Sequence, residues 1–100
     1  MDIIDYAQQI NRPLVIRMRP HAKREGGRWY CSFEDSDIAR GERGLLSQHG
    51  NGATPVHAIE DYARLIRGET LVLDAMNDKY RREYHIPEDL TFDPLRGVRC

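Results

Sequence analysis

Arg17, Arg19, Arg28 and Tyr30 are the residues of this 100-residue sequence whose types and spacing point most directly to binding chemistry. A guanidinium grips phosphate or carboxylate through paired hydrogen bonds and stacks on flat rings, and Tyr30 supplies such a ring. Residues 12–28 hold six basic groups (Arg12, Arg17, Arg19, Lys23, Arg24, Arg28) against the single acid Glu25. Only Lys23 and Lys79 are lysine among the 15 basic residues. An Arg-rich, Lys-poor set suits a nucleotide or a protein surface better than a diffuse polyanion track. The alternative is a solvated face paired with its own acids, Glu34, Asp35 or Asp37.

A second anion candidate is the run His49-Gly50-Asn51-Gly52-Ala53-Thr54, which leads into a helix start. Free backbone N–H groups and the helix dipole favour an anion there, and Gly50 and Gly52 would let the backbone approach it. His49 is the one histidine placed to act as a base beside it. The same glycines could equally form a strand-to-helix turn that needs left-handed backbone. The run lacks the Lys and Ser/Thr of a P-loop and the third glycine of a dinucleotide fingerprint.

No catalytic constellation accompanies these groups. His21, His49, His57 and His85 fall in separate segments without metal-ligand spacing, and Ser32, Ser36 and Ser47 have no nucleophile elbow around them. Cys31 alternates with Trp29 and Phe33 toward a core, and Cys100 is the last residue, so both read as reduced thiols. The expectation is a protein without catalytic residues, bound metal or cofactor. A formal net charge of -1 argues against coating nucleic acid by bulk electrostatics. No apolar run approaches the roughly 18 residues of a membrane span, and the first ten residues, with Asp2 and Asp5, do not resemble a signal peptide, so a cytoplasmic protein is expected.

The elements that must carry these residues can be read from periodicity. Ile3, Ala7 and Ile10 follow Asp2 at helical spacing. Leu14, Ile16 and Met18 alternate with Val15, Arg17 and Arg19, and Trp29, Cys31 and Phe33 alternate with Arg28, Tyr30, Ser32 and Glu34, giving two strands joined by a polar loop over residues 20–27 with a Gly26-Gly27 turn. Ile38-Ala39 and Leu45-Leu46-Ser47 are strand fragments. Thr54 as cap and Pro55 at the first position open a helix of about twelve residues carrying Ile59, Ala63 and Ile66, with Glu60 and Arg64 four apart on its wet side and Gly68 as its stop. Thr70–Ala75 and Arg82–Ile86 form a strand pair. The sum is an α+β fold, one domain over residues 1–100: an antiparallel sheet of about five strands, the helix of residues 54–67 across one face, a short N-terminal helix beside it, and a loosely held tail from about residue 88. The predicted core sets Ile59, Ala63 and Ile66 against Leu14, Ile16, Trp29, Phe33, Leu71 and Leu73. The sheet edges and the tail could both pair with a second copy. At an offset of 56, Ile3, Asp5, Tyr6, Ala7 and Ile10 match Ile59, Asp61, Tyr62, Ala63 and Ile66.

Residues 50–76, GNGATPVHAIEDYARLIRGETLVLDAM, resemble small phage and prophage proteins that carry a Gly-x-Gly-x-Thr turn, an Ala-Ile-x-Asp-Tyr-Ala helix and a Gly-x-x-Leu-Val strand. The stretch from Arg81-Arg82-Glu83 to Pro87 resembles the same group. A more distant likeness, through Thr54 and Ala58, is to HicB-type antitoxin domains. The resemblance implies an α+β fold and a setting in the infected bacterial cell, and it assigns no activity. Together with the arginine bias it leads to the expectation of a non-catalytic binding protein that antagonises host defence. Its partner would be a phosphorylated nucleotide signal that it sequesters, or a defence protein that it blocks as an anti-CRISPR would. The alternatives are an antitoxin-like partner that masks a small toxin, and a structural phage protein.

Overall fold

The computed structural model describes residues 1–21 and 24–95; Ala22, Lys23 and residues 96–100, with Gly97 and Cys100 among them, lie outside the described residues. Among the described residues two α-helices, α1 (Ile3–Gln9) and α2 (Pro55–Ile66), combine with seven strands: β1 (Leu14–His21), β2 (Arg24–Phe33), β3 (Ser36–Ala39), β4 (Leu45–Leu46), β5 (Gly50–Gly52), β6 (Thr70–Leu73) and β7 (Arg82–His85). The α+β class is as expected, but the strands form two antiparallel sheets, ordered β1-β2-β5 and β4-β3-β6-β7, instead of one sheet of five. The division falls at Glu34-Asp35. Asp35 takes a left-handed φ of 47°, and the Ser36 hydroxyl donates to the Phe33 carbonyl at 2.7 Å. This bend turns the chain out of the first sheet, so β3 pairs with β6 in the second.

Strands β1 and β2 are longer than their sequence suggests. Gly26 and Gly27 lie within β2, and the β1–β2 pairing extends to His21 and Arg24. The register shifts between Arg19 and His21, a bulge at the strand end where Pro20 lacks a backbone donor.

Helix α2 follows its local signals. The Thr54 hydroxyl accepts the His57 N–H at 3.2 Å, Pro55 supplies a preset φ at the first position, and Gly68 at φ 75° follows the end. Its buried face is Ala58, Ile59, Tyr62, Ala63 and Ile66. Arg64 pairs with Asp61, one turn back, and not with Glu60. Asp61 also accepts the Asn51 N–H at 2.9 Å, tying the helix to β5.

Both helices meet at Phe33. Tyr6 and Tyr62 pack edge-on against its ring, with centroids 6.2 and 5.7 Å away. These tyrosines are the pair related by the offset of 56, which also carries the start of β1, Leu14, onto the start of β6, Thr70. Ile38, Leu71, Leu73, Ile86 and Leu90 complete the buried cluster, each such side chain contributing about 1.5–3 kcal/mol on burial. Ile16, expected inside, is 38% exposed, because α2 packs mainly across β5 and β2.

The segment expected to be loose from residue 88 is pinned through Asp93. Leu90 is fully buried, Thr91 bridges to Asp2, and the two Asp2 carboxylate oxygens accept the N–H groups of Ile4 and Asp93 at 2.8 Å each. No helix among the described residues is long and apolar enough to cross a membrane.

Candidate binding face on the first sheet

The antiparallel register decides which side chains share a face. Arg17 stands opposite Tyr30, Arg19 opposite Arg28, and Val15 opposite Ser32, so all six project from one side. Ile16, Met18 and Trp29 project from the other. On the far side of β2, Asn51 stands opposite Tyr30 and adds its side chain to the Arg face, where the Arg28 guanidinium donates to Asn51 Oδ1 at 2.7 Å. The two candidates, the arginine set and the glycine run, therefore converge on one surface through Asn51 and His49.

A cleft of about 190 Å³ opens on this face, lined by Val15, Arg17, Arg19, Tyr30, Ser32, Phe33, Glu34, Asp35 and His49. Arg17 and Arg19 mark its outer end along the hairpin, and Glu34 and Asp35 its base. The Arg19 guanidinium lies over the Tyr30 ring, 5.5 Å from the centroid. Neither Arg17 nor Arg19 makes an ion pair among the described residues, so both cations are offered to solvent. The carboxylates of Glu34 and Asp35 share the cleft with these cations without pairing with them. Ser32 and Val15 carry no binding signal of their own in the sequence, although period two places them beside Tyr30 and Arg17.

Gly50, Gly52 and Thr54 serve the seating of α2. Gly50 and Gly52 lie in β5 and face α2: a Cβ on Gly50 would sit 2.3 Å from the Ala58 carbonyl oxygen, and one on Gly52 would sit 2.5 Å from the His57 Cβ. Neither has the positive φ expected of a left-handed turn. Their role is to let a helix lie directly on a strand. Thr54 is occupied as the cap of α2.

Two further groups bear on chemistry. Burial pushes the Cys31 thiol up to about 12, which keeps it protonated and unreactive. No cluster of three or more His, Cys, Asp or Glu residues able to hold a metal occurs among the described residues.

No protein-family model, curated protein or solved structure matches this chain.

Proposed function

We infer that the protein is a non-catalytic binding module that uses the Arg17–Arg19–Arg28–Tyr30 face to dock on an acidic protein surface. In the phage setting implied by the resemblance of residues 50–76, that surface belongs to a host defence protein, which is thereby blocked. The observation that carries the reading is the pair of exposed guanidinium groups without carboxylate partners among the described residues, beside Tyr30 on one sheet face. Arg and Tyr are the side chains that most often anchor protein interfaces.

The size of the cleft favours a protein partner over a sequestered nucleotide. The cleft, at about 190 Å³, falls below the roughly 300 Å³ at which pockets begin to enclose a small ligand. The test is the plating efficiency of a phage on a defence-bearing host that expresses the protein, with melting temperature recorded in the presence of cyclic and linear nucleotides. Restored plating with an unchanged melting temperature is the expected result. A nucleotide-dependent rise would move the function to sequestration, and failure to restore plating on any defended host would sink the defence reading.

A further inference from the structure

Strand β1 is an edge strand, since β2 lies on one side of it and no other strand among the described residues pairs with it. No loop backbone bonds to Val15–Arg19 either, among the described residues. Proteins ordinarily blunt such edges, and here a bulge and Pro20 do so only at the far end. The backbone groups of Val15–Arg19 that point away from β2 are left without partners among the described residues. On one side of that run Ile16 and Met18 are 38% and 48% exposed. On the other stand Arg17 and Arg19, without ion-pair partners among the described residues. Leu14, at the near end, also lines an apolar groove of about 380 Å³ against Ile4 and Ala7 of α1. Edge, apolar strip and groove are therefore continuous.

We propose that β1 receives an extended segment of the partner protein as an added antiparallel strand, with acidic side chains set against Arg17 and Arg19 and apolar ones over Ile16 and Met18. The proposal rests on the reading of the Arg face as a protein-docking surface and names what docks there. Main-chain hydrogen bonds to the edge give affinity, and the alternating pattern gives register. A second copy of the chain fits poorly. In a two-fold pairing the other β1 sets no acid opposite Arg17 or Arg19, because Leu14–His21 contains none, and pairings centred on Arg17 or Met18 also set Arg17 opposite Arg17 or Arg19, like charges that destabilise a ladder. Aspartate and glutamate in those places convert the same positions into attractive pairs.

The experiment titrates the isotope-labelled full chain with two synthetic peptides as long as β1, one alternating Glu and Val, the other alternating Lys and Val. The expected result is amide shifts along Val15–Arg19 and at Ile4 and Ala7, with the Glu peptide bound about tenfold more tightly than the Lys peptide. The double variant Arg17→Glu, Arg19→Glu, which changes exposed side chains only, reverses that preference. Equal binding of the two peptides overturns the proposal, as do unmoved β1 amides or self-association that occupies β1 and excludes both peptides. Those outcomes leave defence antagonism standing on plating alone. Conversely, normal Glu-peptide binding with no rescue of plating sinks the defence function and keeps the strand edge as a peptide site.

Discussion

The Arg19 guanidinium rests over the Tyr30 ring across the β1–β2 pair, 5.5 Å from its centroid. The stack holds a long, exposed side chain in one orientation and leaves the guanidinium edge free to donate. At an exposed site it contributes about 0.5–1 kcal/mol. Tyr30→Leu should therefore weaken binding of an acidic peptide by a few-fold, while Tyr30→Phe, which keeps the ring, should change it little. Isothermal titration of the two variants against the same peptide makes the comparison.

Gly50→Ala and Gly52→Ala should each destabilise the fold by about 3 kcal/mol or more, because the added methyl meets backbone atoms of α2 that have no room to move. Gly41→Ala meets nothing within 4 Å and carries only the strain of its φ of 54°, about 1 kcal/mol. Urea unfolding ranks the three. Intact stability in Gly50→Ala would show that α2 does not lie on β5 as described.

Tyr6 and Tyr62 flank the same phenylalanine and differ in their hydroxyls. Tyr62 Oη accepts the Phe33 N–H at 3.1 Å, whereas the buried Tyr6 hydroxyl has no hydrogen-bond partner among the described residues. Burial, then Tyr84, pushes Tyr6 up to about 12. Tyr62→Phe should cost about 1–3 kcal/mol by orphaning a buried donor, and Tyr6→Phe should be neutral or stabilising. Thermal unfolding of the two single variants checks the opposite signs.

Arg12 grips Asp74 with two hydrogen bonds, Nη2 to Oδ2 at 2.7 Å and Nη1 to Oδ1 at 3.3 Å. This hydrogen bonding holds the Asp74 carboxyl below its ordinary 3.8 and raises Arg12 further. Because the folded value is the lower one, the contribution is complete above the unfolded value and is lost as pH falls through the folded one. Asp74→Asn, which tolerates the local φ of 51°, should lower stability at neutral pH and flatten its decline below about pH 4. Urea midpoints measured across that range report the slope.

Period-two alternation is enough to place Arg17 with Arg19, and Arg28 with Tyr30, on the polar faces of two strands, because side-chain direction in a strand depends on sequence parity alone. The Thr54 cap and the Gly68 stop of α2 are legible for the same local reason. The need for Gly50 and Gly52 is not, since a glycine carries no pattern and its requirement here comes from α2 lying on β5. The exposure of Ile16 and Met18 is also hidden: alternation names an inner face but not how far a helix extends across it. Proline and charge around residue 88 suggest a loose end, and the only counter-signal is the pair of apolar residues Leu90 and Phe92.

Differential capture tests the Arg face most directly. The full chain and its Arg17→Glu, Arg19→Glu variant, matched in melting temperature, are expressed in defence-bearing cells and purified, and their bound proteins are quantified. A defence component retained by the first and lost from the second is the expected result. The same bound proteins in the same amounts on both would contradict a docking role for these two arginines.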